Sequence, residues 1–310
     1  MIPTSSISWP GGKTFAFTVF DDPDSQTVDG CKTVYDFIAS LGFRTTIGVW
    51  PCPPVREPNS PGETCGNQEY LRYVQHLQQE GFEIGYHNTT PHSSTRAQID
   101  AGLSIFHRYF GDAPITMANH YNAEAIYWGS ARLGGIRKTI YEAAHLWRAN
   151  PFSGHIPTSE HFWGDLCQKN IKYCRNFVYR DINTLRKCPW MPYYDPERSY
   201  VKYWYASSEG PNLQSFAEVL LEENQDRLEA EGGACIMYTH FGLGFIKDGK
   251  LDPQFERLMT RLSRRKGWFV PVGRLLDHLQ SERENSTIPE QELAAMEWKW
   301  LTQKLLKGQS

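Results

Sequence analysis

The sequence contains no C-x-x-C pair. Its seven cysteines (Cys31, Cys52, Cys65, Cys167, Cys174, Cys188 and Cys235) are scattered and odd in number, which argues against a zinc ribbon and a thioredoxin-type site. Cys52 and Cys65 flank a proline-rich loop and either bridge it or stand as free thiols in a reducing compartment. No Lys/Arg run exceeds Arg264-Arg265-Lys266, and the net charge is -3 with a pI near 6.4, so nucleic acid is not an expected partner. No apolar stretch reaches the length of a membrane span. Residues 1–13 are polar, with two prolines and no apolar core. No secretory signal is read there, and a cytoplasmic location is expected. Internal repeats and low-complexity tracts are lacking as well.

What remains is an ordinary core-forming composition: 310 residues, 40% hydrophobic and 22% charged. Short apolar runs at 14–20, 45–50, 82–86, 115–118, 177–179, 202–206, 234–239 and 268–272 alternate with segments of helical spacing, the pattern of parallel βα units. Helices are predicted over 27–41, 68–79, 95–110, 136–147, 162–174, 213–230, 255–264 and 274–279, with 51–66 as a long loop placed to contact substrate. The expected fold is a distorted (β/α) barrel of about seven parallel strands, a single domain over 1–280. A linker and an amphipathic C-terminal helix follow over 281–310. The stripe Leu293, Met296 and Trp300 is expected to pack on the outside of the barrel, and self-association into a homo-oligomer is its other use.

Polar residues collect just after the strands: Asp21 and Asp22, His87 and His92, Asn119 and His120, Arg180 and Asp181, and His240. In a parallel α/β fold these strand ends share one face, so the groups converge. His87 and His92 are five apart with Pro91 between them, so they meet through loop geometry rather than along a helix. One carboxylate with two imidazoles makes a three-ligand site that leaves room for water and substrate. Adjacent carboxylates repel unless a cation or a raised pKa relieves them. A metal on one member of the acidic pair and proton transfer on the other accounts for both; capping of the next segment by Asp21, Asp22 or Asp24 is the plain alternative. His120 either contacts substrate or is structural. Such Asp/His/His sites take zinc, cobalt, nickel or manganese.

These motifs resemble those of the polysaccharide deacetylases, the chitooligosaccharide-deacetylase-like carbohydrate esterases. Val19-Phe20-Asp21-Asp22-Pro23 is similar to their T-F-D-D-G, Glu83-Ile84-Gly85-Tyr86-His87 through His92 to their H-[ST]-x-x-H with its lead-in, and Ile236-Met237-Tyr238-Thr239-His240 to their last motif. The resemblance implies Asp21 as general base, Asp22, His87 and His92 as ligands of a divalent metal, zinc foremost, and His240 as general acid. It implies removal of an acyl group, acetyl first, from an N-acylated carbohydrate by a metal-bound water. Three departures mark a divergent branch: one extra residue between the histidines, Pro23 in place of glycine, and no R-x-P-x-G motif, the corresponding strand reading Met117-Ala118-Asn119-His120-Tyr121. Arg180 is the candidate to replace the missing arginine, with Asp181 and Trp204 as counterparts of the family's Asp–Trp pair, and Asn119 and His120 as substrate contacts. A catalytically inactive barrel that binds a glycan or a partner is the alternative. Asp22-Pro23-Asp24 also matches the D-x-D of haloacid-dehalogenase-type phosphatases, but Gln26 stands where that motif has Thr, and the histidines are left unexplained.

Overall fold

A computed structural model of the chain describes residues 7–283 and 285–307; residues 1–6 of the polar N-terminal segment lie outside them. The first strand, β1 (Phe15–Asp21), is buried at every position, as a parallel strand must be when helices cover one face and a barrel interior fills the other. Helix α1 (Val28–Ser40) starts where the Thr27 hydroxyl accepts from Gly30 N, and α2 (Gln68–Gln79) where the Asn67 side chain accepts from Glu69 N and Tyr70 N. Between them lies β2 (Thr46–Val49), and β3 (Glu83–Tyr86) follows α2. Helix α3 (Arg96–Phe110) ends on Gly111 in the left-handed region, φ 85°. Then come β4 (Thr116–Met117), a 3-10 turn (Gly129–Arg132), α4 (Gly135–Ala144), α5 (Gly164–Asn170) and β5 (Tyr173–Tyr179). The second half runs α6 (Thr184–Lys187), β6 (Tyr203–Glu209), α7 (Leu213–Val219), α8 (Glu222–Ala230) and β7 (Ala234–Thr239). A small hairpin, β8 (Ile246–Lys247) and β9 (Lys250–Leu251), precedes α9 (Pro253–Ser263), β10 (Gly267–Trp268), α10 (Val272–Ser281) and α11 (Glu290–Lys307).

Strands β1 to β7 are parallel neighbours in chain order, and β7 returns to β1 in a register that runs from Ala16↔Ala234 to Asp21↔Thr239. The barrel therefore closes on seven strands, as expected. β10 is the extra strand, lying against the start of β1 through Phe15↔Gly267 and Ala16↔Trp268, while β2 takes the end of β1 through Phe20↔Thr46 and Asp21↔Ile47. The thinnest seam is β3 to β4, with the single pair Tyr86↔Met117.

Inside the barrel the Phe20 ring fills space that Gly48 and Gly85 leave open. A Cβ on Gly85 would sit 2.7 Å from that ring, and one on Gly48 3.0 Å from it. This fixes the parity of β1, because side chains alternate across a strand. With Phe20 inward, Asp21 faces the helical layer and Asp22 faces the interior.

Several predicted boundaries moved. The helix expected over 162–174 stops at Asn170, and residues 173 and 174 already belong to β5, which is seven residues long rather than three. The helix expected over 213–230 breaks into α7 and α8, and the strand expected over 268–272 is only Gly267–Trp268, with α10 beginning right after Pro271. All seven cysteines are free, so Cys52 and Cys65 do not bridge the loop between them. Among the described residues no helix is long and apolar enough to cross a membrane.

Helix α11 packs against α4 and β5, with Leu293, Met296, Trp300 and Leu301 buried. The Tyr179 hydroxyl donates to Met296 O at 3.1 Å. The buried Glu297 carboxylate accepts from Gly134 N and Arg137 Nε. A charge withdrawn from water needs such partners, and here they pin the helix in one register.

Candidate metal and catalytic centre

At the carboxyl ends of the strands is a cavity of about 250 Å³. Three ligand-type side chains converge in it: Asp24 from the turn after β1, His87 after β3 and His120 after β4. His87 Nε2 lies 3.2 Å from His120 Nδ1 and 3.4 Å from Asp24 Oδ2, and His120 Nδ1 lies 3.6 Å from Asp24 Oδ1. Ligand bonds of ~2.0–2.1 Å in a tetrahedral zinc site place the donor atoms roughly 3.3–3.4 Å from one another. The observed spacings therefore suit donors around one small divalent ion. Trp50 walls the group, its ring centre 5.8 Å from that of His87 and 5.2 Å from that of His120.

The electrostatics favour the forms that bind a cation. Burial alone would raise the Asp24 carboxyl, but hydrogen bonding to His87 and the charges of His87, His120 and His240 outweigh it and hold the group below the usual carboxylate range. Burial, reinforced by His87 and opposed by Asp24, pushes His120 down to about 4. Its imidazole is therefore neutral near pH 7 and keeps a lone pair for a ligand bond.

The converging set differs from the expected one at two positions. Asp22 is held by Arg175, whose Nη1 and Nη2 donate to its Oδ1 and Oδ2 at 3.1 and 2.6 Å, both side chains being buried. Its remaining neighbour is His87 Nδ1, 3.6 Å from Oδ1. His92 turns away from the cavity. Its Nε2 accepts from Val55 N at 3.0 Å and its Nδ1 donates to Ser93 O at 2.9 Å, so no lone pair is left for a metal. Pro91 and His92 instead hold the proline-rich loop, through Pro91 O to Asn59 N and His92 Nε2 to Val55 N, while His120, after β4, meets His87.

Asp21 is also displaced from its expected place. It is fully buried and does not line the cavity. It accepts from Gln26 Nε2, from the Tyr35 hydroxyl at 2.9 Å and from Phe241 N at 2.8 Å. Burial raises its carboxyl well above the ordinary value, against the hydrogen bonds from Phe241 and Tyr35. The parity of β1 is the cause, since Asp21 is the outward residue.

His240 does line the cavity. Its Nδ1 donates to Pro211 O at 2.7 Å, which leaves Nε2 3.3 Å from the Tyr238 hydroxyl and 3.7 Å from Asp24 Oδ2. The Arg175 guanidinium lies 4.3 Å from the centre of the Tyr238 ring. Burial works against the charge on Arg175, but Asp22 beside it more than compensates.

The remaining expected residues fall into two groups. Asn119 lines the cavity, and its amide is spent closing a turn with Ile126 N and O at 3.0 Å each. Arg180 is exposed and pairs with Glu209, Asp181 is held by Arg186 and Arg227, and Trp204 is core; none of the three lines the cavity.

Three polar residues in or beside the candidate centre do not stand out in the sequence as site residues. Asp24 was assignable as a plain cap. Arg175 sits inside a strand whose seven positions are all buried, and an arginine within an apolar run is the signal that marks it. Glu124 is buried and accepts from Asn88 Nδ2, Asn122 Nδ2 and Ser94 N at 3.1–3.2 Å, tying the turn after His87 to the segment after His120. Burial pushes its carboxyl up to about 7, against those hydrogen bonds.

No family profile matches the sequence, and no curated protein matches it. Solved structures do. A protein assigned to the polysaccharide deacetylases from Mycobacterium smegmatis superposes with a TM-score of 0.52 at 13% identity, over 93% of this chain and 98% of that one. The Puue allantoinase gives 0.51 at 13% identity, over 91% and 98%. A second protein assigned to the polysaccharide deacetylases, from Pseudomonas aeruginosa PAO1, gives 0.51 at 13%, over 89% and 94%. The chain thus has, at a distant level of sequence, the barrel fold of the polysaccharide deacetylases.

Proposed function

We propose that the chain is a metal-dependent amide hydrolase that removes an acyl group, acetyl first, from an N-acylated carbohydrate. The observation that carries the reading is the single cavity shared by Asp24, His87, His120, the Arg175-clamped Asp22 and His240. Asp24, His87 and His120 are the residues that would hold a divalent ion, zinc foremost and cobalt, nickel or manganese by supply. Such an ion supplies Lewis-acid polarisation of the acyl carbonyl.

The chain's own groups do the proton work. Asp22 takes the proton of the attacking water. Arg175 fixes the orientation of that carboxylate through two parallel hydrogen bonds. Arg175 also answers the main argument for an inactive barrel, the missing arginine motif, because it reaches the inward aspartate from β5. His240, with its Nδ1 proton committed to Pro211 O, presents Nε2 to the cavity and, when protonated there, delivers the proton to the leaving amine. Trp50 and the buried strand ends limit water around the reacting groups.

The test is acetate release from N-acetylated oligosaccharides by protein reconstituted with zinc and by protein stripped with chelator. The reading expects turnover that is lost on stripping and returns with the ion. Full turnover by the stripped protein, or none by zinc-loaded protein on any N-acylated sugar, overturns it.

A further inference from the structure

The cavity that holds the candidate centre is also lined by Arg132 from the 3-10 turn, Trp128 before it, Tyr141 of α4, and Trp300 and Lys304 of α11. Of the three cations that line it, Arg175 pairs with Asp22 and Lys304 with Glu209. Arg132 is only 5% exposed, and among the described residues no carboxylate lies within ion-pair distance of it. Among the described residues its side chain has one hydrogen-bond partner, Asn176 O, 3.3 Å from Nη1, and its buried Nε has none. The guanidinium is held in place by indole rings, 3.8 Å from the centre of Trp128 and 4.9 Å from that of Trp300.

A buried cation without an anion is costly, and proteins pair such groups. Here no described residue supplies the pairing group, and the side chain lines a cavity beside a candidate reaction centre. The Nη1 corner is spent on a backbone carbonyl and Nε is sealed from solvent, so Nη2 is the corner left for a ligand. A charged guanidinium N–H donates a strong hydrogen bond to an oxygen of a carboxylate, and equally to one of a sulfate or phosphate ester. We propose that Arg132 is a specificity-determining residue for an anionic substituent, so that the substrate is an N-acylated sugar carrying a carboxylate or an acidic ester rather than a neutral one. The substrate class rests on the hydrolase reading; the anion site itself does not. Burial, which lowers the Arg132 guanidinium to about 10, leaves it charged at neutral pH and rewards an incoming anion.

The test is calorimetric binding to zinc-reconstituted protein, with acetate release followed separately. The probes are neutral N-acetylglucosamine, 2-acetamido-2-deoxyglucuronate, and the 6-sulfate and 6-phosphate of N-acetylglucosamine. At least one anionic sugar should bind at least about tenfold more tightly than the neutral one, and which one does so separates the carboxylate from the ester sources. That advantage should vanish in Arg132→Gln and fall in Arg132→Lys, which keeps the charge but loses the planar group stacked between Trp128 and Trp300. Equal affinity for charged and neutral sugars, no binding of any, or an advantage that survives Arg132→Gln overturns the proposal. The wild-type comparison decides even if the variants fail to fold. Anion-selective binding without acetate release overturns the hydrolase reading and leaves the anion site standing; acetate release without anion selectivity does the reverse.

Discussion

Asp21 and Asp22 are adjacent in the chain and face opposite sides of the barrel wall, and that single alternation decides which of them can act. The inward residue shares the cavity with His87, while the outward one is enclosed by Gln26, Tyr35 and Phe241. Asp22→Asn should therefore lower kcat by about 10²–10⁴ with metal content unchanged. Asp21→Asn should appear mainly as a stability loss of roughly 1–3 kcal/mol, because a buried hydrogen-bonding group is left mispaired. Steady-state acetate release and denaturant unfolding on the two variants check this. A catalytic loss confined to Asp21→Asn would reverse the assignment. The acidic pair, His87 and His240 stand out in the sequence as site candidates; His120 reads there as a substrate contact or a structural residue, not as a ligand. The choice within the acidic pair was not legible there, because parity depends on what fills the barrel, here Phe20 against Gly48 and Gly85.

At the scale of elements, the site depends on three loops held by buried polar groups rather than by apolar packing alone. His92 holds the proline-rich loop through Val55 N. Glu124 joins the turn after β3 to the segment after β4. Because its folded pKa of about 7 exceeds the ordinary value of 4.5, the folded chain keeps a proton there that the unfolded chain has lost. Its contribution to stability is complete below about pH 4.5 and is lost as the pH rises through about 7, at a slope of at most about 1.4 kcal/mol per pH unit. Glu124→Gln should flatten that part of the profile, measured by denaturant unfolding at several pH values. Parallel profiles for the two proteins would show that Glu124 does not titrate in this window. The succession of strands and helices could be read from periodicity, since each strand is a short apolar run between turn signals. β5 was misjudged because its first residues, Tyr173-Cys174-Arg175-Asn176, mix polar side chains into a strand that is buried throughout. Arg180, which looked like the site arginine, simply follows that strand. Long-range partners such as Asp22 for Arg175, 153 residues apart, leave no local trace.

On the scale of the whole molecule, closure of β7 on β1 brings residues from distant parts of a 310-residue chain to one face. Asp24 comes from the turn after β1, His87 and His120 from the first half, His240 from just after β7, and Trp300 and Lys304 from the helix that follows the barrel. The closed ring makes convergence of strand ends unavoidable, which is why the sequence pointed to a centre there although it grouped His87 with Asp22 and His92 rather than with Asp24 and His120. The measurement that tests the account most directly is elemental analysis of zinc in purified wild-type, His120→Ala and His92→Ala proteins, each confirmed as folded. About one ion per chain is predicted in the wild type and in His92→Ala, and a loss of most of it in His120→Ala. Zinc retained by His120→Ala and lost by His92→Ala would contradict the centre described here.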